Sequence, residues 1–185
     1  IQPDPDGDGP LGTLETSYTY DSTAEGGGHV TRIDYPDGTA EFWTYDAENF
    51  NQVKTYADQL GHLTWYSFDS DHNVAAMTQV LGLDDQYYFE SDDLLTTYTY
   101  TDGTGTTPIK GLVETVTDPN NNVTRYIYNS QGLVDTILYA EMTVDEVTEQ
   151  YEYDNRDRLS AMIDGRGART EYVYDNLDRL IQRTD

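Results

Sequence analysis

The sequence predicts an all-β fold: a repetitive antiparallel β-hairpin ribbon, a spiral or solenoid-like sheet that is part of a shell, tube or fibre. Three observations carry this expectation. A pair of aromatics one residue apart returns eight times: Tyr18 and Tyr20, Trp43 and Tyr45, Tyr66 and Phe68, Tyr87 and Phe89, Tyr98 and Tyr100, Tyr126 and Tyr128, Tyr151 and Tyr153, Tyr172 and Tyr174. Successive pairs start 25, 23, 21, 11, 28, 25 and 21 residues apart, the period of a stacked supersecondary unit that buries its faces against neighbours. Turn formers punctuate the chain at matching intervals, while Val, Ile, Thr and aromatics fill the positions between them, as pleated surfaces favour.

The first 17 residues form a separate acidic segment. Asp4, Asp6 and Asp8, followed by Gly9 and Glu15, fit the calcium-loop pattern D-x-[DN]-x-[DN]-G-x5-E. Alternate carboxylates converge on one oxygen cage, Gly9 permits the sharp turn, the Pro10 carbonyl supplies a backbone ligand, and Glu15 closes the site bidentately. Only three residues precede Asp4, so no entering helix lies within the chain, and an acidic flexible tail that mimics the motif is the competing reading.

Residues 18–185 read as one continuous array. The clearest repeat runs over residues 151–175. Gln150-Tyr151-Glu152-Tyr153 alternates large and polar side chains as a half-buried strand does. Asp154-Asn155-Arg156-Asp157 turns, residues 158–163 return as a second strand, and Asp164-Gly165-Arg166-Gly167 turns again with glycines suited to positive φ. Residues 126–134, preceded by the turn Asp118-Pro119-Asn120-Asn121, follow the same grammar. So do residues 43–46, preceded by Tyr35-Pro36-Asp37-Gly38. The polar insertion near residues 101–111 reads as a protruding loop, and residues 25–28 as a flexible connection. Residues 140–147 are compatible with a helical turn, a loop or a strand extension. Tyrosine suits a thin sheet with water on one side because it buries a large ring while its hydroxyl can stay wet.

These repeats resemble the Rhs/YD-repeat family. Tyr153-Asp154-Asn155-Arg156-Asp157-Arg158-Leu159 and Tyr174-Asp175-Asn176-Leu177-Asp178-Arg179-Leu180 are similar to its Tyr-x-Tyr-Asp pattern, two residues, Gly, Arg, Leu. Asp157, Asp178 and His72 stand where the pattern has Gly. The resemblance covers residues 18–185 and implies a β-ribbon spiralling into a hollow shell or tube. In some members, such as toxin-complex shells, the shell encloses a toxic fragment; in others, wall-associated or teneurin-like, the array is displayed at the cell surface.

Composition narrows the functions. With 10 basic against 35 acidic residues, a formal charge of −25, the surface repels nucleic acid and anionic membranes. There is no cysteine, so disulfides and thiolate metal sites are excluded. No apolar run reaches the roughly 20 residues a membrane helix needs. His29, His62 and His72 each sit beside Gly or Asp in an expected turn, and carboxylate neighbours such as Asp84 and Asp85 carry little information in so acidic a chain. No nucleophile elbow, phosphate loop or nucleotide fingerprint occurs, so the expectation is not an enzyme.

The leading expectation is a structural segment of a large secreted or cell-surface protein, forming a β wall, stalk or fibre by repeat stacking and edge association. Its alternatives are a fragment of a toxin-encapsulating cocoon and a glycan-binding or adhesion module using rings such as Trp65. About 14 strands at ~4.8 Å spacing give roughly 67 Å of sheet, so further repeats of the same chain or identical subunits are the expected partners, with glycans or surface proteins as additional ones. The start at Ile1-Gln2-Pro3 reads as a processed product or excised piece. Six arginines, at 156, 158, 166, 169, 179 and 183, crowd the last thirty residues. They pair either across strands locally or head-to-tail with an acidic start.

Overall fold

In the computed structural model, residues 14–21, 28–81, 93–105 and 107–185 are described. Asp4, Asp6, Asp8 and Pro10 of the calcium pattern lie outside the described residues, as does most of the 25–28 connection. One expected aromatic pair, formed by Tyr87 and by Phe89, also lies outside them, so the array of eight pairs is described at seven.

Fourteen strands follow one another in sheet order: β1 (Ser17–Tyr20), β2 (Val30–Asp34), β3 (Ala40–Asp46), β4 (Gln52–Ala57), β5 (Leu63–Phe68), β6 (Val74–Gln79) and β7 (Leu94–Asp102), then β8 (Lys110–Thr117), β9 (Val123–Tyr128), β10 (Val134–Tyr139), β11 (Val147–Tyr153), β12 (Leu159–Ile163), β13 (Arg169–Tyr174) and β14 (Leu180–Thr184). The chain divides into two compact units, Ile1–Ser67 with Thr78–Asp93 and Phe68–Met77 with Leu94–Asp185. In the first, β1 to β5 pair antiparallel in succession. In the second, β7 to β14 do the same.

Two kinds of hairpin alternate. Those entered by an expected aromatic pair carry a β-bulge: Tyr45 faces Val53 while Thr44 faces Thr55, which leaves Lys54 extra. Tyr128 faces Val134 with Asp135 extra, Tyr153 faces Leu159 with Ser160 extra, and Tyr174 faces Leu180 with Ile181 extra. The hairpins that return to the next pair, such as β12–β13 with Ala161 opposite Glu171, keep a regular register.

The core is thin. Among the described residues only Thr78, Val80 and Ala161 are buried, and the aromatic pairs are half-buried, apart from Tyr18 and Tyr20, which are exposed. Ala161 sits on β12 between Glu152 on β11 and Glu171 on β13, so the Arg169–Glu152 ion pair (2.6 Å) crosses the strand over it. A larger side chain there would lift that bridge.

The polar insertion is narrowed, and at 140–147 one of the readings left open, the loop, is the one found. The polar insertion does not simply protrude: β7 runs through Asp102, β8 begins at Lys110, and the Thr107 hydroxyl donates to the Tyr128 carbonyl at 3.1 Å. Residues 140–146 form a loop before β11, with Ala140 and Met142 at positive φ (51° and 60°). The loop is held by the Glu141 N–H on the Val123 carbonyl and by the Thr143 hydroxyl on the Ala140 carbonyl.

Candidate functional site

Nothing among the described residues forms a group of three or more His, Asp or Glu that could hold a metal ion. The features that repeat with chemical consistency are two devices that fasten one hairpin to the next.

The first is the turn. Eight turns share one bonding pattern, in which the first residue's N–H donates to the carbonyl four residues on and the fourth residue's N–H returns to the first carbonyl. The fourth residue is left-handed in every case: Gly38, Gly61, His72, Asn121, Gly132, Asp157, Gly167 and Asp178. That position favours glycine, which explains the spacing of glycines in the sequence, and Asn and Asp tolerate it better than other side chains. In seven of the eight, the first residue is Asp or Asn, and its side-chain oxygen accepts from the N–H groups two and four residues on. The Asp of the Tyr-Asp dipeptide is therefore a turn cap, satisfying donors that the tight bend leaves outside the ladder.

Capping holds these carboxyls ionised. The Arg158 guanidinium first, then the backbone donors of Arg156 and Arg158, push Asp154 down to about 2. Arg179 lowers Asp175, the Asn122 side chain lowers Asp118, and the Ala168 N–H lowers Asp164. His62 does the same for Asp58 through an Nδ1–Oδ2 contact of 2.8 Å.

The second device is a tyrosine rung. At the second position of four pairs the tyrosine hydroxyl, half-buried with its ring, bonds a backbone carbonyl of another strand. Tyr45 donates to the Val30 carbonyl (2.6 Å), Tyr100 to Val74 (2.8 Å), Tyr128 to Val113 (2.6 Å) and Tyr153 to Val134 (2.8 Å). For three of these acceptors the register explains the choice. Val30, Val113 and Val134 each stand immediately before a bulged residue, Thr31, Glu114 and Asp135, where a carbonyl drops out of regular pairing. The next tyrosine supplies the missing donor. Burial raises the pKa of all four phenols. In two further clusters a carboxylate accepts from neighbouring tyrosines. Glu149 takes the hydroxyls of Tyr139 (3.1 Å) and Tyr151 (2.8 Å), and Glu41 takes that of Tyr35 (3.1 Å). Tyr151 titrates well above the usual phenol range, through burial first and Glu149 second.

The remaining expected residues are dispersed. Trp43 packs near Tyr56 with ring centroids 5.4 Å apart, Trp65 is half-buried on β5, and Glu15 is exposed ahead of β1. Tyr66, Phe68, Tyr98, Tyr126, Tyr172 and Tyr174 lie half-buried on their strands, while Tyr87 and Phe89 fall outside the described residues. The histidines do not converge: His29 meets Asp21 at 3.3 Å and His62 meets Asp58. Of the two arrangements left open for the arginines, local pairing is present. Arg158 contacts Asp154 (2.6 Å) and Asp178 (2.7 Å), Arg156 contacts Asp178 (3.4 Å), and Arg179 contacts Asp175 (2.6 Å). Arg158 also lies 4.7 Å over the Tyr174 ring and donates to the Asp175 carbonyl at 3.2 Å, clamping two successive hairpins. The sequence signal for this clamp was the 21-residue recurrence of Tyr-Asp and Arg-Leu.

Against known proteins, residues 153–185 match the RHS Repeat family model, so this stretch is an RHS repeat. No curated protein matches the chain. Its fold is similar to solved structures of TcdB2-TccC3. One, without the hypervariable C-terminal region, has a TM-score of 0.65 at 16% identity over 91% of this chain and 9% of that chain. Another TcdB2-TccC3 structure gives 0.64 at 17% identity over 91% and 9%. The Photorhabdus luminescens Tc holotoxin pore gives 0.62 at 16% identity over 78% and 7%. The chain thus spans less than a tenth of those proteins, and the likeness establishes the fold.

Proposed function

We propose that this chain, an all-β array carrying an RHS repeat, is a wall segment of a larger extracellular or cell-surface YD-repeat assembly and works through shape rather than catalysis. The carrying observation is the tyrosine rung. Each rung joins a hairpin to the one before it, so stability is built from nearest-neighbour couplings and the array extends without a central core. A negative exterior keeps such a sheet soluble.

An enclosing wall, a cocoon around a toxic cargo, is the second reading, and the similarity to the Tc holotoxin pore and TcdB2-TccC3 favours it. Glycans and other surface proteins stand behind both as ligands of an adhesion module. Within the wall reading, Asp4, Asp6, Asp8, the Pro10 carbonyl and Glu15 form a calcium-stiffened junction.

Electron microscopy of the purified native material tests the reading. Filaments or sheets support a wall or fibre, hollow closed particles support the cocoon, and small separate globules sink both. Calcium addition and chelation in parallel test the junction: a melting temperature that does not rise with calcium, or that rises equally in Asp6→Ala, removes the metal.

A further inference from the structure

We infer that the cavity beside the 102–110 hairpin binds an alkylammonium group, the head of a free diamine or of a lysine side chain. This goes beyond the wall reading and does not rest on it.

The cavity holds about 550 Å³ and lies within the second unit, lined by residues of β7, β8 and β9 and of the hairpin tip. That is room for a small molecule. The tip is tied down on both sides of the cavity's residues: the Thr101 hydroxyl donates to the Ile109 carbonyl (2.6 Å) and the Thr107 hydroxyl to the Tyr128 carbonyl (3.1 Å). The eight tight turns return the chain without any such extension, so closing the sheet does not require it. Connecting segments that a rigid framework holds in place are where binding groups gather.

The lining is rich in acceptors. Asp102 Oδ1 takes the Thr104 N–H (2.8 Å) and the Thr104 hydroxyl (2.7 Å), and Oδ2 takes part in neither bond. Glu114 is the extra residue of the β8 bulge, so the bulge rather than a cross-strand partner sets its aim. Its Oε1 accepts from Arg125 Nη1 at 2.8 Å, and Oε2 is outside that bond. The hydroxyls of Thr104 and Thr107 direct their protons to Asp102 and Tyr128, which leaves their lone pairs for a ligand.

The cations nearby are already engaged. Arg125 is held by Glu114 through Nη1 and by Glu141 through Nε (2.5 Å). Lys110 stands opposite Asp102 on β8, but its Nζ is drawn to Asp71 at 2.7 Å. Asp71, Asp102, Glu114 and Glu141 thus outnumber Lys110 and Arg125, and the balance is negative. Ile127 adds an apolar side chain, 38% exposed. An anion is repelled here, and a wholly apolar molecule strips water from carboxylates without replacing it. A short alkyl chain ending in an ammonium group meets both demands: the chain covers Ile127, and the N–H donors reach Asp102 and Glu114.

Titration of the isotope-labelled chain, followed by nuclear magnetic resonance at about 150 mM salt, tests the inference, because diffuse attraction to the −25 charge is screened there. The probes are diaminobutane, acetyl-lysine amide and, as the uncharged control, butanediol. The expected result is a saturable shift of the Thr104 and Gly105 amides and of Arg125 Nε with the two amines, and none with butanediol. Glu114→Gln and Asp102→Asn should each weaken binding about tenfold. Asp145→Asn, exposed in the 140–146 loop, should leave it unchanged. Tighter binding of diaminobutane supports a free diamine, and tighter binding of acetyl-lysine amide supports a lysine side chain. Shifts spread over the acidic turns, butanediol binding as well as diaminobutane, or equal weakening by Asp145→Asn overturns the inference. The shift map of the unaltered chain decides even if a variant fails to fold. Failure removes this site and leaves the wall reading standing, since that reading is judged by the shape of the assembled material.

Discussion

Removing one hydroxyl from the array separates the rung from the ring that carries it. In Tyr153→Phe the aromatic face stays in place, while the 2.8 Å bond to the Val134 carbonyl is lost. A side-chain bond to backbone contributes about 0.5–1.5 kcal/mol net, and a carbonyl left without a donor costs roughly 1–3 kcal/mol if water cannot reach it. Tyr153 is half-buried, so water partly replaces the donor and the cost falls near the lower end, about 1 kcal/mol. For a chain of this size that is a fall of roughly 2–4 °C in melting temperature. Tyr153→Ala also removes half-buried ring contacts and should cost about 2–3 kcal/mol, less than a ring in a sealed core would. Urea unfolding followed by far-ultraviolet circular dichroism measures both. Tyr172→Phe, at the first position of a pair, is the comparison and should be nearly silent. A Tyr153→Phe change below about 0.3 kcal/mol, or an equal change from Tyr172→Phe, would refute the rung as a coupling element.

The turns make further predictions. Asp157 and Asp178 occupy left-handed positions (φ 60° and 62°), so Asp157→Gly should stabilise by about 0.5–1 kcal/mol in the same assay. Asp178→Gly should not, because Asp178 also holds Arg158 and Arg156. Gly132→Ala should destabilise by about 1–2 kcal/mol, since a Cβ there meets Ile109 Cδ1 at 2.6 Å and the backbone is left-handed (φ 82°). The capping aspartates, with folded pKa values below their unfolded ones, contribute stability that is fully present above pH ~4. That contribution should drain away as pH falls toward 2, where Asp154 itself titrates, and a flat acid limb in a melting-temperature profile would contradict it. At the alkaline end the sign reverses. The half-buried phenols of Tyr45, Tyr100, Tyr128 and Tyr153 ionise late, so stability should fall as pH rises past about 10, tracked by phenolate absorbance.

Much of this fold was readable because its signals are local. The alternation around Tyr151 and Tyr153 requires only neighbouring residues, and so does a turn such as Asp164-Gly165-Arg166-Gly167. The same holds for Asp157 and Asp178 at the glycine position, where the left-handed backbone was foreshadowed by their place in the repeat. What stayed hidden depends on adjacent strands. Nothing in Tyr128 announces that its hydroxyl meets Val113, fifteen residues back, because the acceptor is created by a bulge in another hairpin. The complete burial of Ala161 is likewise a product of two flanking strands and the ion pair above it. The loop at 140–146 was ambiguous because its residues suit several conformations, and its anchoring bonds are to β9 and to itself.

The hairpin at residues 102–110 is longer than the eight tight turns and carries a second irregularity of register between Tyr100 and Asp102. Beneath its longer loop the strands resume the pairing of the tight turns, with Tyr100 opposite Val113 and Thr99 opposite Thr115, and the rung from Tyr100 is intact. The added residues are tied down outside the ladder, by the Thr101 hydroxyl on the Ile109 carbonyl and the Thr107 hydroxyl on the Tyr128 carbonyl, so the pairing below does not depend on how much chain leaves and returns at that point. Positions of this kind can accept foreign sequence, which makes the array a scaffold on which new surface is acquired by grafting at a hairpin tip while the framework below goes unrevised.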